Sequence, residues 1–150
     1  MVVPIIRVAE AQDIPAILEL EAHYMAELEP QNFERWKACE AVHRSRVEEV
    51  LLRTFVADMS DEVIGSCYWG LHNDGAHIFN MYVHPDFRRY GLAKSLLERT
   101  EADIQRKGFS RWTFNPINTS TAKVFIEQLG YKLLWEDADR LHMIKERVEA

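Results

Sequence analysis

The chain has 150 residues, 18 Lys and Arg against 24 Asp and Glu, a net charge of −6 and an apolar fraction of 47%. That length fits one domain over 1–150 with a sizeable core, and the acidic balance argues against a general nucleic-acid binder. Its two cysteines, Cys39 and Cys67, form neither a CxxC pair nor a Cys/His cluster, so two reduced thiols and no metal are expected. No run approaches the roughly 18 apolar residues of a membrane span. The short apolar start lacks the basic region of a secretion signal, so a cytoplasmic protein is expected.

In chain order, "PIIRVA" at 4–9 suits a strand. Asp13 is placed to cap a helix with Ile14, Ile17, Leu18 and Met25 at helical spacing, and Pro15 sits in its first turn, where a missing N–H costs little. "EPQN" at 29–32 breaks this helix, and 33–53 resumes helical spacing through Phe33, Trp36, Val42, Val47, Val50 and Leu51. "TFVAD" at 54–58 and "VIGSCYWGL" at 63–71 read as a hairpin about "MSDE". The turn "HNDG" then leads into a third strand, "AHIFNMYV" at 76–83, which His84-Pro85-Asp86 ends. A helix with Leu92, Leu96, Leu97 and Ile104 on one side stops at Gly108, a residue suited to a left-handed cap. A strand at 110–115, a turn at 116–120, a helix through Ala122, Phe125, Ile126 and Leu129 to Gly130, and strands at 131–136 and 140–144 complete the chain. The order β-α-α-β-β-β-α-β-α-β-β predicts a mixed α/β sheet.

The stretch "HPDFRRYGLAKSLLE" at 84–98 stands out in an acidic chain. It sets Arg88, Arg89 and a glycine where a helix begins. Free N–H groups and the positive dipole end suit an anion there, Gly91 lets the backbone approach a ligand, and guanidinium forks suit phosphate. It is neither a Walker loop nor GxGxxG. Taken alone, the same residues also fit a basic surface turn.

Arg88-x-x-Gly91-x-Ala93 resembles the (Q/R)xxGx(G/A) pyrophosphate loop of the GCN5-related N-acetyltransferases, the GNAT family. The likeness extends through "FNMYVHPDFRRYGLAKSLLE", through "NTSTAKVFIEQLGY" at 118–131 and through the element order, and so covers nearly the whole chain. It implies a GNAT fold whose splayed central sheet binds acetyl-CoA as co-substrate. By the resemblance, Met81, Tyr82 and Val83 hold the pantetheine arm through backbone groups. Backbone N–H groups across Arg89, Tyr90, Gly91, Leu92, Ala93 and Lys94 hold the pyrophosphate, with the Arg88 side chain beside it. Asn118 helps to fix the pantetheine, Phe125 packs near it, and Lys123 could reach the 3′-phosphate region. The implied chemistry is direct transfer from the thioester to a neutral amine, with an N–H near Met81 as oxyanion donor and no role for either cysteine.

The chain departs from the family where acid and base chemistry is concerned. The family's usual tyrosine acid, four residues before the glycine, is Ile126 here, and the glutamate of peptide-acetylating members is Thr113. Strand alternation puts Asn80, Tyr82 and His84 on one face and His77, Phe79, Met81 and Val83 on the other, unless a bulge shifts the count. Candidate catalytic groups are therefore His84 as base, or a turn histidine satisfied by backbone; Tyr82 as acid, or packing; and Asn80 to orient the acceptor or a water. His23 and Tyr24 lie on the helix that borders the acceptor site in the family.

Glu19, Glu21, Glu27, Glu29, Glu34, Glu136, Asp137 and Asp139 crowd the segments flanking that site. Their field suits a cationic amine, and the same charges also serve solubility. The expected function is acetyl transfer to a primary amine of a small, cationic acceptor. The alternatives are a peptide or protein N-acetyltransferase and a catalytically weak CoA-binding regulatory module. No nucleic-acid or membrane partner is expected, and the resemblance allows a homodimer.

Overall fold

The computed structural model describes residues 3–147, with the side chains of Arg89 and Tyr90 outside the described set. The chain runs β1 (Ile5–Val8), α1 (Ile14–Leu28), α2 (Phe33–Lys37), α3 (Glu40–Glu49), β2 (Thr54–Met59), β3 (Glu62–His72) and β4 (Gly75–Val83). It continues α4 (Leu92–Arg106), β5 (Arg111–Phe114), α5 (Ser120–Gln128), β6 (Lys132–Glu136) and β7 (Leu141–Glu146). The order matches the predicted one except that the second predicted helix is two, α2 and α3, and the sheet is mixed as expected. Its seven strands lie β1-β2-β3-β4-β5-β7-β6. Every neighbouring pair is antiparallel except β4 with β5, which is parallel.

Local chemistry accounts for the joints. Ser60 and Asp61 (φ 52° and 68°) close the first hairpin, and Asn73 and Asp74 (φ 51° and 64°) close the second. Two successive positive φ values match the primed turns whose twist suits antiparallel strands. The Thr119 side chain accepts from the Ala122 N–H at 3.0 Å and caps α5. Gly130, just past α5, has φ 97°.

Two expectations are corrected. Asp13 does not cap α1. A 3-10 turn at Ala11–Asp13 leads straight into that helix, and the Asp13 carboxylate reaches back to the Glu10 N–H (2.7 Å) and the Arg7 guanidinium (2.7 and 3.0 Å). The segment 33–53 is not one helix. It breaks between α2 and α3, where Cys39 has φ −106° and ψ 29°. His43 Nε2 lies 2.9 Å from the Trp36 carbonyl oxygen and its ring stacks on Trp36. The same carbonyl accepts from the Cys39 N–H at 3.0 Å, a tighter i+3 bond that closes α2.

Two clusters sandwich the sheet. The larger joins Leu92, Leu96, Leu97 and Ile104 of α4 and Ile126 of α5 to strand residues such as Phe55, Ile78, Trp112 and Met143. The smaller joins Ile14, Ile17 and Leu18 of α1 and Val47 of α3 to Val56. Cys67 is buried and burial pushes its thiol up to about 12, which leaves it unreactive; Cys39 is exposed and free.

Candidate active site

β4 and β5 pair over only three registers, Ala76↔Trp112, His77↔Thr113 and Ile78↔Phe114. Beyond Phe114 the chain turns away at Asn115-Pro116, and proline has no N–H with which to extend the ladder. The edge of β4 from Phe79 to Val83 is thus unpaired on the β5 side. A cleft of about 490 Å³ opens there, between that edge, Asn115–Ile117 and Ala122 of α5.

A bulge aims the side chains of this edge. Ser66 faces Tyr82 but Tyr68 faces Phe79, so two residues of β4 oppose Cys67 alone, and Asn80 takes φ 48° to absorb the extra residue. The bulge reverses part of the simple alternation. Phe79 stacks on Tyr68 and touches His77 on the α1 side, where Tyr82 and His84 also meet α1 residues. Ile78, Met81 and Val83 instead pack with the larger core cluster. His77 and Phe79 therefore share a face with Tyr82 and His84, against the alternation read from the sequence.

After β4, a 3-10 turn at Pro85–Tyr90 leads to Gly91, which has φ 71°. No atom lies within 4 Å of where its Cβ would stand. α4 begins at the next residue, and its first return bond runs from Ser95 N–H to Gly91 O. The N–H groups of Leu92, Ala93 and Lys94 thus lie in the first helical turn, which has no intrahelical acceptors to offer them. This open left-handed corner at a helix start is an anion cradle made of main chain.

A second cavity of about 210 Å³ adjoins the cleft on the α1 side, lined by Trp36, His43, Arg46 and Ser66 among others. Tyr24, Asn80 and Arg140 line both spaces. Two α1 carboxylates and Glu29, the residue that follows α1, are each met by an arginine from elsewhere in the fold. Glu21 takes Arg46 of α3 at 2.5 Å and the Asn80 amide at 3.2 Å. Glu27 takes both ends of Arg88 at 2.6 and 2.8 Å. Glu29 takes Arg140 at 2.7 Å. Of the acidic residues anticipated there, Glu21, Glu27 and Glu29 are therefore paired with arginines.

The anticipated site residues fall out as follows. Met81, Tyr82 and Val83 lie on the unpaired edge, and Gly91, Leu92, Ala93 and Lys94 form the cradle; the side chains of Arg89 and Tyr90 lie outside the described residues. The Arg88 guanidinium is engaged on the α1 side. It grips Glu27, bonds the Val83 carbonyl at 3.0 Å and lies over the Tyr82 ring, and it holds the Glu27 carboxyl below its usual range. The Tyr82 hydroxyl donates to Glu27 at 2.7 Å, and burial followed by that carboxylate raises its pKa. His84 Nδ1 accepts from the Asp86 N–H at 3.2 Å, the backbone-satisfied alternative. The Asn118 amide donates to the Asp137 carbonyl at 2.6 Å and ties the segment after β5 to the β6–β7 turn. Phe125 is half-buried against the core, and Ile126 is 2% exposed within it.

Arg140 was not legible beforehand. It sits in the turn "DADR", where no periodicity or spacing marks it, yet it bonds the Tyr24 hydroxyl (2.8 Å), the Asn115 carbonyl (3.4 Å) and Glu29. At the closed end of the cleft, His77 Nδ1 lies 2.6 Å from the Thr113 hydroxyl. Burial, then His72 and His142, pulls the His77 pKa down to about 4.

Residues 51–133 match the profile of the acetyltransferase (GNAT) domain. Among solved structures, a PaiA N-acetyltransferase from Thermoplasma acidophilum in complex with coenzyme A is 18% identical over 96% of this chain and 99% of that one, with a TM-score of 0.81. Ard1 from Thermoplasma volcanium is 15% identical over 97% and 99%, at 0.77. YncA, a putative acetyltransferase from Salmonella typhimurium with acetyl-CoA, is 18% identical over 99% and 96%, at 0.74.

Proposed function

The chain belongs to the GNAT acetyltransferases, and we propose that it transfers the acetyl group of acetyl-CoA to the primary amine of a small acceptor by direct attack. The observation that carries this reading is the end of β4–β5 pairing at Ile78↔Phe114, in line with an open helix-start cradle after Gly91. An unpaired strand edge offers alternating N–H and C=O groups, which suit an amide-bearing arm lying as a further strand. The cradle offers the N–H groups of Leu92, Ala93 and Lys94 to the diphosphate of the same molecule. The residues present thus fit acetyl-CoA, with Met81, Tyr82 and Val83 as the strand that holds the arm.

In this reading Arg88 is a positioning residue. It fixes α1 to the end of β4 through Glu27 and leaves the diphosphate to main-chain donors. Asn80 turns at the bulge where the cleft meets the second cavity, a place suited to orienting the acceptor. That cavity, at about 210 Å³, suits a small amine or the amine end of a larger molecule. Its Glu21 and Glu29 are balanced by Arg46 and Arg140, which favours binding the amine as the neutral form that attacks a thioester.

The test is incubation with acetyl-CoA and a panel of polyamines, amino acids, aminoglycosides and peptides, read by thiol release and by product mass. Transfer to a small amine is expected. Transfer restricted to peptides replaces the acceptor class with peptide N-termini. Tight CoA binding by calorimetry with no transfer replaces the enzyme with a CoA-binding module.

A further inference from the structure

A thiolate leaving group needs a proton, and the position where the family's tyrosine stands holds Ile126, sealed in the core. Three residues line both the β4–β5 cleft and the acceptor cavity: Tyr24, Asn80 and Arg140. An asparagine amide does not titrate and a guanidinium does not give up its proton in proteins. Tyr24 is the member of the three that can give a proton and regain it.

Its setting suits that task. The phenol oxygen accepts from Arg140 Nη1 at 2.8 Å, so its own hydrogen is not used in that bond. Arg140 is in turn fixed by Glu29 and by the Asn115 carbonyl. The ring meets Tyr82 edge-on at 5.8 Å, and the neighbouring aromatic hydroxyl, that of Tyr82, is already spent on Glu27. Burial raises the Tyr24 pKa and Glu29 adds to the rise, whereas the Arg140 cation opposes both by stabilising the phenolate.

We propose that Tyr24 is the general acid of this enzyme, delivering its hydroxyl proton to the departing sulfur while Arg140 holds the resulting phenolate. The inference rests on the acetyltransferase reading above. As the C–N bond forms and the C–S bond breaks, the sulfur takes the Tyr24 proton. The attacking nitrogen sheds its extra proton to water, and water returns one to the phenolate. The products are the amide and the free thiol.

Tyr24→Phe keeps the ring and deletes the proton. With acetyl-CoA and an amine active in the panel, kcat should fall about 100-fold or more, while the KM for acetyl-CoA and the CoA Kd stay within about 3-fold. Arg140→Lys, which keeps a cation beside the phenol, should retain more activity than Arg140→Met. A readout independent of turnover uses protein labelled with 13C at tyrosine Cζ, the Tyr24 signal being identified by its loss in Tyr24→Phe. CoA should shift that signal and desulfo-CoA, which lacks the sulfur, should not. A Tyr24→Phe kcat within about 3-fold of wild type, or equal shifts from CoA and desulfo-CoA, overturns the proposal. Failure of the wild-type protein to bind CoA at all overturns the acetyltransferase reading instead.

Discussion

From β4 onward the main chain is left open: five residues without a β5 partner, then, after a 3-10 turn, a left-handed glycine and the first N–H groups of α4. Across from it, α1 and the residue that follows it meet the rest of the molecule through side chains, Glu21 to Arg46, Glu27 to Arg88 and Glu29 to Arg140. Backbone donors are the same in any sequence that keeps the turn and the bulge, so the β4 side suits a co-substrate shared across a family. The paired charges depend on six particular residues, so the α1 side can differ from one relative to the next. In the proposed reading, the first side holds the donor and the second receives the acceptor and supplies the proton.

Four measurements can break or sharpen that contrast. The largest effect is expected at Gly91. Gly91→Trp fills the cradle, and CoA affinity should fall about 100-fold or more by calorimetry. The open space around its Cβ position confines the folding cost to backbone strain of about 1–2 kcal/mol. Unchanged affinity would remove the main chain from diphosphate binding. Next is Ile126→Tyr, which places the family's tyrosine in a site 2% exposed. Overpacking should cost about 1–3 kcal/mol in urea unfolding with no gain in turnover; a rate increase would mean that the α5 side, not α1, can supply the proton.

His77 gives an effect on the order of 2 kcal/mol, seen through pH. Its folded pKa of about 4 lies below the ordinary 6.5, so the unfolded chain takes up the proton first as pH falls. The stability it contributes is complete above about pH 6.5 and is lost between there and about pH 4. His77→Gln should flatten the unfolding free energy across that window, and an unchanged slope would show that the ring is not held neutral. The smallest effect is Glu27→Gln. Its pair with Arg88 is over a third exposed on the arginine side, so screening limits the loss to about 1 kcal/mol. CoA affinity should stay within about 3-fold, because Arg88 serves α1 and not the diphosphate; a large affinity change would return Arg88 to the binding site.

Much of the fold was legible because its signals are local. Asn73-Asp74 and Ser60-Asp61 mark hairpins, Gly108 and Gly130 end helices, and Thr119 caps one. Errors arose where a neighbour in space outbid a neighbour in sequence. Asp13 has capping chemistry, but Arg7 and the Glu10 N–H claim its carboxylate. The segment 33–53 has helical spacing, but its turn tightens at Trp36, whose carbonyl accepts from the Cys39 N–H and lies 2.9 Å from His43 Nε2. A period of two along β4 misplaced His77 and Phe79 because a bulge is a property of two strands together, and its sign in one sequence is only an asparagine that tolerates positive φ.

The sequence by itself determined the strand order along the chain, the family and the glycine at the start of α4. Each rests on chemistry carried within a few residues: a glycine free to be left-handed, a strand that a proline stops, a helix start with unspent N–H groups. Only the tertiary structure decided what the charges do. Glu27 and Arg88 are 61 residues apart, and Glu29 and Arg140 are 111 apart. No spacing rule links such pairs, since the sheet and not the chain brings them together. That is why an acidic surface in the sequence became three neutral clamps in the fold, and why Tyr24 stands where two cavities meet with its oxygen held and its proton free of that bond.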